Sequence, residues 1–173
     1  MRYFYDTEFI EDGTTIELVS IGIVAEDGRE YYAVSTEFDA GRANPWVRKN
    51  VLDKLPNPQS NVWKSISAIR REVFDFLCGN DDAPQLWAWV GAYDHVVLAQ
   101  LWGDMTGLPR QLPRYTRELK QYWEMAGCPK LPNVPEGNHD ALVDARHNRA
   151  KFDVCQRILP LDRRGRLTRG PQR

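Results

Sequence analysis

The chain opens on Tyr3-Phe4-Tyr5-Asp6-Thr7-Glu8-Phe9-Ile10, an aromatic and β-branched run interrupted by two acids, which predicts a strand. A second β-rich run, Ile16 to Ala25, is followed by Glu26-Asp27-Gly28 and then by Arg29 to Ser35. An Asp-Gly step between two such runs signals a hairpin, because its tight turn needs positive φ. The first three strands are therefore expected to form an antiparallel meander. The period then changes: Ile66, Ile69, Val73, Phe76 and Leu77 recur at helical spacing as far as Cys78-Gly79. Gln85 to Val90 is a short apolar run suited to a buried strand, and Tyr93 to Trp102 predicts a helix through Val97, Leu98 and Leu101. A further helix is expected from Thr116, stopping at Gly127-Cys128-Pro129. The longest runs from Asp140 to Leu159, with Ala141, Ala145, Phe152, Cys155 and Leu159 on one stripe and Pro160 closing it.

Strands first, then a buried strand framed by helices, predicts an α/β fold: a mixed sheet covered by helices, in one domain over residues 1–160. Residues 161–173 carry five Arg and one Asp among Gly, Pro and Thr and are expected to be a basic, disordered tail. The 173 residues, 42% hydrophobic and 27% charged, fit an ordinary globular domain. Cys78, Cys128 and Cys155 are odd in number and widely spaced, so they read as reduced, partly buried thiols. No apolar run approaches the roughly 18 residues that span a bilayer, and Asp6 and Glu8 arrive before a signal sequence could form, so a cytoplasmic protein with no membrane partner is expected. A formal charge of −1 argues against a polyanion-binding protein that works by bulk charge. By region the picture differs: residues 1–40 hold 10 acids and 2 bases, and residues 41–173 hold 14 acids and 21 bases.

Part of the acidic pole is Asp6 and Glu8, two residues apart and hence on one face of their strand. Like charges about 4 Å apart repel by ~4 kcal/mol at an effective dielectric of 20, and no Lys or Arg lies between Tyr3 and Glu26 to relieve them. Asp94 follows the buried strand after a short turn, where open α/β sheets present functional groups, and is equally placed to cap the next helix. Asp144 lies about 60° from Ala141, at the margin of the apolar stripe, so it can face the sheet. His139, five positions earlier, cannot share that face if helical. It is expected in the loop leading into the helix, from where it could reach over the site as a general base. His95 and His147 are rival bases by proximity, with His147 read as a surface histidine, and Asp140 is a rival ligand or a helix cap.

The set Asp6-x-Glu8, Asp94 and His139-x-x-x-x-Asp144 resembles the DEDD 3′-to-5′ exonucleases of the ribonuclease H-like superfamily, histidine subclass. The strings Phe4 to Gly13 and Trp87 to Asp94 are similar to the small actinobacterial exoribonucleases sometimes labelled polyadenylate-specific. The resemblance implies a ribonuclease H-like sheet and a metal-dependent 3′-5′ exoribonuclease that releases nucleoside 5′-monophosphates from single-stranded ends or 3′ overhangs. A proofreading or repair DNA exonuclease is the alternative, and a non-catalytic nucleic-acid-binding module a further one. It implies Asp6, Glu8, Asp94 and Asp144 as ligands of two hard cations, Mg2+ or Mn2+, and His139 as the base. Two such ions would raise the formal charge from −1 to about +3. Where many relatives carry Thr-Gly-Leu against the terminal nucleotide, this chain has Phe9-Ile10-Glu11, so Phe9 and Ile10 are the candidate substrate contacts, with a plain core role for Phe9 equally open. The partner implied is a single-stranded RNA 3′ end, with DNA and a homodimer left open. Arg110, Arg114, Arg117 and Lys120 beside Tyr115, Tyr122 and Trp123 form a candidate strand-binding face, or a solvated amphipathic helix.

Overall fold

A computed structural model describes residues 1–79 and 83–168. The strands are β1 (Arg2–Glu11), β2 (Ile16–Ala25), β3 (Glu30–Ser35), β4 (Trp63–Lys64), β5 (Gln85–Ala88) and β6 (Arg117–Glu118). They form one sheet in the order β4-β3-β2-β1-β5-β6. The β1–β2 and β2–β3 pairs are antiparallel, as the hairpin signal predicts, while β3–β4, β1–β5 and β5–β6 are parallel. Helices α1 (Pro45–Asn50), α2 (Ile66–Cys78), α3 (Ala92–Gln100), α4 (Leu119–Met125) and α5 (Ala141–Ile158) flank it.

The alternation of β1 sorts its side chains to two cores. Tyr3 and Tyr5 join Ile21, Ile23 and the α2 residues Ile69, Val73 and Leu77, all of them 0–1% exposed. Phe4 joins Trp87, Leu119, Tyr122, Phe152 and Cys155, which seats α4 and α5 against the sheet. Each such fully buried large side chain contributes about 1.5–3 kcal/mol through removal of apolar surface from water. The pairing steps from Glu8↔Ser20 to Phe9↔Leu18, so Val19 is a bulge, and a bulge adds local twist beside Glu8. Gly22 lies opposite Asp6, and a Cβ there would fall 2.3 Å from the Ala141 carbonyl group. Only glycine lets the start of α5 lie directly on the sheet at this point.

Four features differ from the sequence reading. The helix expected from Thr116 begins at Leu119, because Arg117–Glu118 first add a parallel edge strand and the Glu118 side chain then caps the helix at Lys120 N. Helix α1, with Asn44 as N-cap and Pro45 at its first position, and the two-residue β4 carry too few periodic residues to be seen in the pattern. The tail is ordered from Leu161 to Thr168: Leu161 bridges Leu167, Asp162 N donates to Arg166 O, and Leu161 is 8% exposed against Phe4 and Phe152. Its remaining residues, 169–173, lie outside the described residues. Cys78, Cys128 and Cys155 are free thiols, with Cys155 buried but Cys128 exposed. No helix among the described residues is long and apolar enough to cross a membrane.

Candidate active site

Asp6 and Glu8 project from the centre of β1 towards the first turn of α5, and Gly22 permits that approach. Asp140 is the N-cap of α5, its Oδ1 accepting from Leu142 N and Val143 N at 3.0 Å each. His139 precedes it with φ 66°, and its backbone N–H donates to Asp144 Oδ2 at 2.7 Å. The loop and the helix therefore fix each other. Ligand atoms of Glu8, His139 and Asp144 all lie within 4.8 Å of one another.

Asp94 sits in the first turn of α3 and is 6% exposed. It does not cap the helix. Its Oδ1 accepts from Thr7 N at 2.8 Å and Thr7 Oγ1 at 2.7 Å, so the residue between Asp6 and Glu8 ties α3 to β1. The turn that delivers Asp94 is held from β6: Glu118 accepts from Val90 N at 2.8 Å and Gly91 N at 3.0 Å. Val90 has φ 58°, a left-handed conformation costly for a β-branched residue, and its side chain is 56% exposed at the cleft.

The cleft has a volume of about 460 Å³ and contains Asp6, Glu8, Asp94, His139 and Asp144 together. Three aromatic walls surround the carboxylates. Phe9 stacks on Tyr93 with centroids 5.5 Å apart and planes 10° apart. Trp46 of α1 stands edge-on to His139 at 4.9 Å. Lys151 of α5 lies 4.5 Å above Trp89 and donates to Asn148 Oδ1 at 3.1 Å. Ile10, expected to touch substrate, is instead 2% exposed and buried with Val19, Val47 and Val51, because α1 covers that end of β1. Neither rival histidine lines the cleft. His95 Nδ1 meets Thr116 Oγ1, while His147 is 9% exposed and meets Pro132 O rather than lying on the surface.

Burial raises the Asp6 carboxyl well above its ordinary range, helped by the charges of Asp94, Glu8 and Asp144 and opposed by Lys151. Burial, then Asp144, Asp94 and Asp140, push Glu8 up to about 8. Burial brings Asp94 to about 6 against the opposing hydrogen bonds from Thr7. Among the described residues no hydrogen bond reaches the Asp6 or Glu8 carboxylate, and Lys151 is the one cation of the cleft. Lys151 at Asp6 and Lys54 at Glu8 offset only part of the burial and mutual repulsion of these carboxylates. A donor set of carboxylate oxygens with one imidazole fits a hard divalent cation.

A family profile described as 3'-5' exoribonuclease Rv2179c-like domain matches residues 1–156. The chain belongs to the Rv2179c-like family. It is 64% identical over 153 residues to the Mycobacterium tuberculosis H37Rv protein named 3'-5' exoribonuclease Rv2179c, covering 88% of this chain and 91% of that one. The CDC 1551 protein named 3'-5' exoribonuclease MT2234.1 matches to the same extent. A crystal structure of a full-length 3'-exonuclease shares the fold, with a TM-score of 0.51 at 10% identity over 99% of this chain and 90% of that one.

In this Rv2179c-like chain, sequence reasoning missed Lys151, Trp46 and Glu118. Lys151 was detectable, since it lies seven residues after Asp144 and seven residues return a helix to nearly the same face. Trp46 had no local signal, because the six-residue α1 was itself unseen.

Proposed function

We propose that the chain is a metal-dependent 3′-5′ exoribonuclease that hydrolyses single-stranded RNA ends or 3′ overhangs to nucleoside 5′-monophosphates. The observation that carries the reading is the half-buried Asp6–Glu8 pair, without donors, facing Asp144 and His139 across a cleft of about 460 Å³. Asp6, Glu8, Asp94 and Asp144 would hold two Mg2+ or Mn2+ ions, which supply activation of the attacking water and stabilisation of the leaving 3′ oxygen. Asp94 keeps Oδ2 for this task, since Thr7 occupies Oδ1.

His139 takes the proton of the attacking water on its imidazole. The His139–Asp144 backbone hydrogen bond fixes the ring's origin, and Trp46 limits its rotation. Phe9, Tyr93 and Trp46 offer stacking faces to the terminal bases, a mode of recognition suited to an unpaired strand. Lys151 faces the phosphate that the carboxylates would otherwise repel.

The test incubates the protein and its Asp6→Asn variant with end-labelled single-stranded RNA and matched DNA, in magnesium, manganese or chelator. Stepwise 3′ shortening of RNA that needs metal and disappears in the variant is expected. Strands bound but uncut in every metal would overturn the reading in favour of a binding module, and preferential cutting of DNA would make the repair-type exonuclease the better description. A His139→Ala variant at full rate would remove the imidazole from the mechanism.

A further inference from the structure

A second cleft, of about 950 Å³, opens at the opposite end of β1 and β5 from the carboxylates. Arg2, Gln85 and Arg117, the first residues of three neighbouring parallel strands, stand at its base. The ordered turn after α5 closes one side and is pinned through its backbone. Arg2 donates to Leu161 O at 3.1 Å and Asp162 O at 2.6 Å, Gln85 to Arg163 O at 2.5 Å, and Arg117 to Arg164 O at 3.1 Å. The Arg163 and Arg164 side chains are left exposed and make no ion pair among the described residues. Four guanidinium groups thus meet one lining carboxylate, Glu26, which is spent on Arg2 at 3.6 Å.

Two further observations point to a ligand. Arg2 Nε and Gln85 Oε1 are buried and without hydrogen-bond partners, leaving a donor and an acceptor unmet at the cleft. Tyr115 is 56% exposed on its rim, and the Arg117 guanidinium lies between the Tyr115 ring at 5.6 Å and the Trp87 ring at 5.7 Å. Planar guanidinium groups matched to phosphate oxygens, beside a free aromatic face, are the two elements that hold unpaired nucleic acid. Of the basic and aromatic residues between Arg110 and Trp123 that the sequence marks as a strand-binding face, the cleft retains Tyr115 and Arg117, while Tyr122 is buried in the core.

We infer that this cleft binds the phosphodiester backbone of single-stranded RNA upstream of the 3′ end, with Tyr115 stacking on a base. The inference rests on the proposed exoribonuclease reading. Arg2 and Glu8 are six residues apart on β1, or about 20 Å, so a dinucleotide in the active site falls short of the cleft and a long strand reaches it.

The double variant Arg163→Gln/Arg164→Gln tests this, because both side chains are exposed and the pins use only their carbonyl groups. Binding of a fluorescent 20-nucleotide RNA to the full chain in chelator is expected to weaken about tenfold at low salt. The slope of log affinity against log salt should fall by about 1.4, at ~0.7 for each phosphate no longer neutralised. In magnesium, KM should rise for the 20-mer and stay unchanged for a dinucleotide. Unchanged affinity and slope would overturn the inference, as would an equal loss on dinucleotide and 20-mer. If the parent protein shortens no RNA at all, the exoribonuclease reading fails, while the chelator binding series still decides the cleft.

Discussion

Replacing Glu8 by Gln should stabilise the metal-free protein while abolishing its activity. The carboxyl is raised from 4.5 to about 8, chiefly by burial and then by Asp144, Asp94 and Asp140. Below pH 4.5 it is protonated in both folded and unfolded chains and costs nothing. Between 4.5 and 8 the unfolded chain ionises and the folded one resists, so stability falls by ~1.4 kcal/mol per pH unit, and above 8 the loss levels off. At pH 7.5 the ceiling is therefore ~4 kcal/mol. Residual solvent at this half-buried side chain screens it to about 2 kcal/mol. Urea titrations in chelator should show Glu8→Gln more stable than the parent by about that amount at pH 7.5 and equal to it at pH 4.5. Magnesium should then stabilise the parent more than the variant. A variant no more stable than the parent at pH 7.5 would refute the claim that Glu8 is held at a cost that only a cation relieves.

Gly22→Ala should lower stability by about 3 kcal/mol in urea titrations and depress activity with it, since the new methyl collides with Ala141 and pushes Asp144 away from Asp6. Val90→Gly should raise the melting temperature by relieving about 1 kcal/mol of left-handed strain, yet raise KM for RNA because one wall of the cleft is removed. Lys151→Met keeps an unbranched apolar stem over Trp89 but deletes the cation. A roughly tenfold drop in kcat/KM is expected from one charge-assisted hydrogen bond of ~1.5 kcal/mol, and an unchanged kcat/KM would place the substrate phosphate elsewhere.

The elements that stood out in the pattern were those whose own residues carry a period: the β1–β2–β3 meander around Asp27-Gly28, α2, and above all α5 from its Asp140 cap. The carboxylates were legible for a related reason. Alternation along a strand puts Asp6 beside Glu8 whatever the rest of the chain does, and helical angles keep Asp144 at the edge of an apolar stripe. The sequence by itself thus determined the meander, the long helix and the chemistry of the acidic pair. Short elements were invisible, because the six residues of α1 and the two of β4 span too little chain for periodicity to register.

What surrounds the site was decided by contacts between segments far apart in sequence. Ile10 looked like a substrate contact until α1 packed over it, and that same helix delivered Trp46 to His139. The basic turn from Leu161 looked disordered by composition, yet carbonyl groups pinned by Arg2, Gln85 and Arg117 order it and build the second cleft. Gly22 is an unremarkable strand glycine until α5 lies against it. Local pattern reports which residues share a face, whereas burial and neighbouring charge exist only once the sheet has brought β1, β5 and α5 together, and those two quantities raise the carboxyls of Asp6, Glu8 and Asp94 above their ordinary range.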